Sequence, residues 1–418
     1  MVSSLDATGD IRARGPGRSP YPRRFRQGEA RAARIGRGLR VIARVRTIDE
    51  DLMHEIGTAY FRRDEVGARL AKAMKTRADR PGHVGRDQLE LGLTEGSGAV
   101  SEAPPALRDF LETIEATPDW VDWDRVERGQ RVYHRFGQNA GDVLLQLSLI
   151  GGYRFGGPTD LLVATGGLAG DTTLRRLAET QHWTLSLSLP GALRPHAEAW
   201  RLTAHVRVMH ELVNEAFLPR WDPERWGLPI NQADQAATLG LFDATVLLGV
   251  RLLGVRVTRR DAADVMHLWK YVGWLLGVEE QFLVDDETAR NRLNYHLLRA
   301  QAGLTEAGPR LAQQLLEAQT RRHYARLPRL RGRYERERLL SMLTVFLGPR
   351  SMRELGLPRR PPWAHAYLAA LNTWRYRTPW GRRRLDEWGD RIRARQRAEY
   401  FGGQAPDIAD PISAQSHS

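Results

Sequence analysis

The chain contains no cysteine. That absence removes disulfides, iron–sulfur clusters, thiolate-ligated haem and covalently attached haem together. Any metal must be held by His, Asp, Glu or Tyr. Lysine is scarce as well, confined to Lys72, Lys75 and Lys270, so the formal charge of +13 is almost entirely arginine. GC-rich codon bias gives such a profile without selection for phosphate binding. The basic residues are scattered and no reader motif accompanies them, so no nucleic-acid partner is expected. Long apolar runs are missing: "LLQLSLI" (Leu144 to Ile150) and "TVLLGV" (Thr245 to Val250) fall far short of the roughly 20 residues a bilayer crossing needs. The twin arginine Arg23–Arg24 lacks the apolar stretch of an export signal, since Arg31, Arg34, Arg37 and Arg40 follow it. Cytoplasmic residence is the expectation.

Catalytic motifs are also mostly absent. There is no Walker A sequence, and the Gly-rich "TGGLAGD" (Thr165 to Asp171) lacks the lysine and the preceding strand that phosphate cradling needs. No Gly-x-Ser-x-Gly elbow offers a serine nucleophile. "HELVN" (His210 to Asn214) begins like a zinc-protease helix, but Asn214 stands where the second histidine would be needed.

What is present is the composition of a folded protein, with 42% apolar residues and 12 tryptophans. From "TIDEDLMHEIGTAYF" at Thr47 onward, apolar residues recur at three- and four-residue intervals, which predicts helices. "LSLSL" (Leu185 to Leu189) alternates like a strand but has no hairpin partner, and reads as a helix end. The expected fold is all-α: a large single helical domain with extensions. Four parts are expected: a flexible basic arm over 1–47, carrying twelve arginines; a helical catalytic domain over 48–305; a helical C-terminal extension over 306–401; and a disordered tail over 402–418. The arm reads as a solvated tail in preference to a lipid contact. The tryptophans and arginines of "WRYRTPWGRRRLDEWGDRIRARQ" (Trp374 to Gln396) suit either a membrane surface or packing on the body.

"AWRLTAHVRVMHELVNEAF" (Ala199 to Phe217) carries two histidines on one predicted helix. Five residues apart, they diverge by roughly 140° at about 100° per residue, so they cannot share one metal. Ala199, Leu202, Val206, Met209, Val213 and Phe217 form an apolar stripe expected to face the core. His210 falls on the edge of that stripe and His205 beyond the opposite edge. An edge-of-core histidine is either a hydrogen-bonded structural residue or a ligand beside an apolar cavity. His267, among the core aromatics Trp269, Tyr271 and Trp274, has the same two readings.

The blocks "GGYRFGGPTDLLVATGGLAGDTTLRRLAET" (Gly151 to Thr180), "VRVMHELV" (Val206 to Val213), "LPINQAD" (Leu228 to Asp234) and "HLWKYVGWLLGV" (His267 to Val278) resemble, in order and spacing, the rubber oxygenase catalytic-domain family, over roughly Asp49 to Gly303. That family includes latex-clearing proteins and the MpaB-type oxygenase. The resemblance implies one non-covalent haem b whose iron is bound by His210, within an Arg-x-x-His motif completed by Arg207. Arg207 would fix the proximal side or pair with a haem propionate. Across the haem, Arg176 and Thr180 occupy the family's arginine and threonine positions. Latex-clearing proteins carry a lysine just before that threonine; this chain has Glu179, so a lysine-capped iron is not expected. Asp160 and Glu179 are the alternatives for an acid–base role. The implied activity is oxidative attack by dioxygen on an apolar small-molecule or polymer substrate, with leucines of "DVLLQLSLI" and "TVLLGVRLLGV" lining a channel. The alternative is a haem- or lipid-binding protein without turnover.

Overall fold

The computed structural model describes residues 19–166 and 171–401. Among these the secondary structure is helical throughout, with no strand. "LSLSL" does end a helix, Asp171–Leu187. The expected tail over 402–418 and the first 18 residues of the expected arm lie outside the described residues.

Two helices make the frame, Trp123–Phe136 packed along Arg259–Leu275. Each starts at a side-chain cap: Asp122 accepts from the Arg125 amide, and Thr258 from the Asp261 amide. Their backbones come close because Gly129 stands at the crossing; a Cβ there would lie 2.4 Å from the Asp264 carbonyl oxygen. Trp269 and Tyr271, both fully buried, fill the space behind them. Burying such large side chains contributes about 1.5–3 kcal/mol each. His267 belongs to this frame: it is buried, its Nε2 accepts from the Asp122 amide at 3.0 Å, and Trp120 meets it edge-on, so it is structural.

A second apolar cluster, centred on Leu311, Leu315, Leu340, Leu343 and Met352, adjoins the first. The two meet at Leu147 and Phe346, which pack against both. The expected boundary at 305/306 is not a packing boundary. Met342, Ala364, Leu368, Tyr376 and Leu385 all belong to the main core. Two polar locks tie the later helices to the earlier ones: Arg338 binds Asp142 through both guanidinium Nη atoms, and Asn372 and Asn139 exchange amide hydrogen bonds at 2.8 and 3.3 Å.

The arm over 1–47 is corrected in the same way. Residues 19–47 are folded, with short helices Glu29–Ile35 and Arg37–Ile42. Arg24 is 2% exposed, forks onto Asp234 and stacks 4.1 Å from the Tyr60 ring. Arg31 joins Glu354 and the Arg154 carbonyl. A basic run reads as solvated only while its partners, hundreds of positions away, are unknown.

One stretch among the described residues, Gln232–Leu252, is long and apolar enough by length and composition to cross a membrane, although no apolar run predicted it. The fold uses it as core. It breaks at Asp243 (φ −95°, ψ −96°), whose carboxylate lies 2.8 Å from Arg290, both residues wholly buried.

Candidate functional site

The helix Glu198–Phe217 turns its polar side inward. Thr203, Arg207, Glu211 and Asn214, spaced four, four and three residues apart, are all buried. Leu202, Val206, Met209 and Val213 of the apolar stripe are only half-buried. Leu202 and Val206 still pack against the main core, whereas Met209 and Val213 are not part of it. Polar residues can go inside because each finds partners. Thr203 Oγ1 donates to the Ala199 carbonyl and accepts from Trp183 Nε1 at 3.0 Å. Asn214 clasps the backbone of Ile230 with bonds of 2.9 and 2.8 Å.

Arg207 is the centre of that buried side. Its Nε and Nη2 donate to the two oxygens of Asp64 at 2.6 and 2.8 Å, and its Nη1 reaches the Leu275 carbonyl at 3.5 Å. Gly277, at φ +80°, leaves the room: a Cβ there would sit 2.8 Å from Arg207 Nε. A forked pair of this kind is a strong, oriented contact. The guanidinium is thus committed to Asp64, 143 positions earlier, and not to Glu211 one turn away. The forked contact fixes Arg207, and with it the histidine helix, on Asp64. Glu211 keeps Asn214 at 3.0 Å and only a distant Arg63 at 4.0 Å; burial pushes its carboxyl up to about 8. At neutral pH it holds its proton.

His210 has the opposite situation. Burial pulls its pKa down to about 4, so the imidazole is neutral at neutral pH. Its Nδ1 is shut away from water with no hydrogen-bond partner. The residue is nevertheless only half-buried. The ring stands at the edge of the half-buried Val206, Met209 and Val213. A neutral imidazole with an unused nitrogen is chemically able to ligate a metal. His205 is different: its Nε2 lies 3.2 Å from Glu90, an ordinary surface pair.

The helix Asp171–Leu187 runs antiparallel to the histidine helix. They are joined at the loop end by Trp183 on Thr203 and by His182 Nε2, 3.5 Å from Glu198. From that pin, seven residues back reach Arg176 and seven residues forward reach His210. The helices then part. The histidine helix follows Glu65–Lys75, while the other goes to Ala307–Ala318 and Leu385–Phe401, with Leu177 on the second core.

Arg176 stands two turns before Trp183, within about 20° of the face that Trp183 turns to the histidine helix. It is half-buried, and burial lowers its pKa against the pull of Glu179. Glu179 is raised by burial, with Arg175 at 3.8 Å. Thr180 is exposed; its carbonyl accepts from Thr184 and its hydroxyl makes no hydrogen bond among the described residues. No hydrogen bond or ion pair joins Arg176, Glu179 or Thr180 to the histidine helix among those residues. Asp160 serves structure, its carboxylate accepting from the Gly157 amide at 2.9 Å and Thr305 at 3.1 Å. Sequence reasoning missed Tyr153, whose hydroxyl is buried without a partner and electrostatically coupled to Arg176.

The segment Leu144–Ile150 is a π-helix, a wide turn often found beside functional sites. Its pattern is inverted too: Gln146 and Ser148 are buried while Leu144, Leu145, Leu147 and Leu149 are half-buried. These leucines lie at the seam of the two cores. In "TVLLGVRLLGV", by contrast, Val246, Leu247, Val250 and Leu253 are wholly buried and Leu252 is exposed. That segment is mainly core and does not line a channel. Among the described residues no three His, Asp or Glu side chains converge as a metal site.

The family model described as ER-bound oxygenase mpaB/B′ and rubber oxygenase catalytic domain matches residues 135–378. The match extends well past 305, as the shared core does. Rubber oxygenase from Streptomyces sp. (strain K30) is 25% identical over 223 residues, covering 51% of this chain and 53% of that protein. The chain thus spans about half the length of that relative. A solved structure of latex clearing protein LCP in the closed state superposes with a TM-score of 0.59 at 20% identity, over 80% of this chain and 91% of the other. That likeness is one of fold.

Proposed function

Since the chain belongs to the mpaB and rubber oxygenase catalytic-domain family, to which residues 135–378 match, we propose that it is a haem b-dependent oxygenase acting on an apolar, isoprenoid or lipid-like substrate. The observation that carries this reading is His210: a neutral imidazole at the edge of the half-buried apolar side of its helix, its Nδ1 without a hydrogen-bond partner. A b-type haem fits the residues present. His210 would bind the iron, and Leu202, Val206, Met209 and Val213 would give the macrocycle an apolar surface. Bound there, haem supplies the dioxygen activation that amino-acid side chains lack.

The remaining work belongs to the chain. Arg207 on Asp64 holds the histidine helix in place. Arg176 and Thr180 would present N–H and O–H donors from the opposite side, where they stabilise negative charge developing on oxygen. Glu179, its carboxyl raised by burial, is the group able to hold or return a proton there. The half-buried leucines of the π-helix would orient an apolar chain and exclude water. Cleavage of a carbon–carbon double bond would place one oxygen atom in each of two carbonyl products, so the balanced reaction needs no external reductant.

Purified protein is expected to show a Soret band that His210→Ala loses and His205→Ala keeps. Oxygen-dependent carbonyl products from a polyisoprene oligomer would separate an oxygenase from a haem or lipid carrier. No Soret band after expression with added haem would overturn every haem-binding reading and leave only the lipid carrier.

A further inference from the structure

The helix Trp363–Arg377 is apolar on two sides. Ala364, Leu368, Asn372 and Tyr376 form its buried side, where Ala364, Leu368 and Tyr376 join the main core. On the opposite side Trp363, Tyr367, Leu371 and Trp374, at spacings of four, four and three, are exposed at 39, 38, 38 and 47%. A helix apolar all round is normally covered all round.

The exposed side continues beyond this helix. Tyr334 packs 5.8 Å from Trp363 and its hydroxyl lies 3.1 Å from that of Tyr367. Leu330 and Leu327, one and two turns before Tyr334 on its approach, are 61 and 69% exposed. At the other end Trp380, 52% exposed, lies 5.0 Å from Trp374. The result is a continuous aromatic and aliphatic strip along two helices. Isolated exposed apolar residues need no explanation, but a connected strip does.

Charge identifies what covers it. The window from Pro358 to Arg384 holds seven arginines, at 359, 360, 375, 377, 382, 383 and 384, and no Asp or Glu. Arg377, Arg382 and Arg383 are exposed and make no ion pair among the described residues. The Arg384 guanidinium lies over the Trp380 ring at 4.0 Å. Tryptophan and tyrosine at the rim of an apolar strip, with unpaired arginines beside them, suit the boundary between acyl chains and anionic headgroups. The exposed leucines add surface that hydrocarbon can cover and a nucleic acid cannot.

We propose that the face formed by Tyr334, Trp363, Tyr367, Leu371, Trp374 and Trp380, with Arg377 and Arg382 to Arg384, is a docking surface for an anionic phospholipid bilayer. It holds the protein peripherally, with the strip at headgroup depth and the arginines on phosphates.

The test is flotation of the full-length protein with vesicles of phosphatidylcholine containing one quarter phosphatidylglycerol, against phosphatidylcholine alone. Binding to the anionic vesicles is expected, weakened by salt, with a blue shift of tryptophan emission. The triple variant Arg382→Gln/Arg383→Gln/Arg384→Gln should lower partitioning on the order of 100-fold. Trp374→Ala/Trp380→Ala should lower it about tenfold and reduce the blue shift. Both sets of substitutions are at exposed positions, and circular dichroism checks that each variant is folded. Absence of binding to anionic vesicles, or equal binding to neutral ones, overturns the proposal. So does a dimer that dissociates in the tryptophan variant, or capture of single-stranded RNA while vesicles are ignored.

Discussion

The two sides of the helix Glu198–Phe217 differ in a way that runs against their polarity. The polar side is buried and its central arginine satisfied: Arg207 has both oxygens of Asp64. The apolar side is half-open, and the histidine at its edge has a buried nitrogen with no partner. Arg207 has its charge met within the chain, whereas His210 keeps a nitrogen with unused capacity; the frame residues His267 and Tyr271 likewise each keep a buried polar atom without a hydrogen-bond partner. Arg207 and His210 are three residues apart and fall on opposite sides of that distinction.

The strongest test removes the ligand side. His210→Gly should abolish the Soret band entirely, and added imidazole should restore it by taking the place of the deleted ring. The helix itself should lose only about 1 kcal/mol, the ordinary cost of an interior glycine. If haem loading persists in His210→Gly without imidazole, the comparison fails. Asp64→Ala strikes the other side. It leaves the Arg207 guanidinium, in a residue 5% exposed, without a counter-charge. The expected loss is about 3–5 kcal/mol in denaturant unfolding, with Asp64→Leu/Arg207→Met recovering most of it.

The buried side should also carry a pH signature. Glu211 has a folded-state pKa of about 8, above the ordinary glutamate value of 4.5, because burial disfavours the charged form. A raised acid binds its proton more tightly when folded. Its stabilising contribution is complete below the unfolded value and is lost as pH rises through about 8. Glu211→Gln keeps the size and removes the titration. It should flatten the fall in unfolding free energy between about pH 5 and 9, a difference of a few kcal/mol at the upper end. Parallel wild-type and variant curves would show that Glu211 does not carry the effect.

Much of the fold and site is legible in the sequence, and the failures share a cause. Helical periodicity yields the all-α fold, and helix geometry alone separates His205 from His210. The helix at Arg176 and Thr180 is also legible, since four-residue spacing needs only local rules. Reading apolar residues as inward-facing fails for Met209 and Val213, which are half-buried and join no core cluster. That rule assumes the covering atoms are the protein's own. It fails in reverse for Arg24 and Arg207, whose partners Asp234 and Asp64 lie 210 and 143 positions away. No local pattern marks a carboxylate that distant. The boundary at 305/306 fails because a helix such as Trp363–Arg377 shows its buried side only once the core it joins is known.

The smallest effect gives the cleanest contrast, because the chemistry is identical on both sides. Val208 is 2% exposed on the packed side, and Val206 is half-buried on the open side. Val208→Ala removes two methyl groups from a filled core and should cost about 2 kcal/mol with or without haem. Val206→Ala should cost less, about 0.5–1 kcal/mol in haem-free protein, since only part of the residue packs on the core there. With haem bound its cost should rise toward that of Val208→Ala, because the macrocycle would then supply the missing contacts. Urea unfolding of both variants in both states reads four numbers, of which only the haem-free Val206→Ala value should be small. Equal costs for Val206→Ala with and without haem would mean that the open apolar side is not where haem packs.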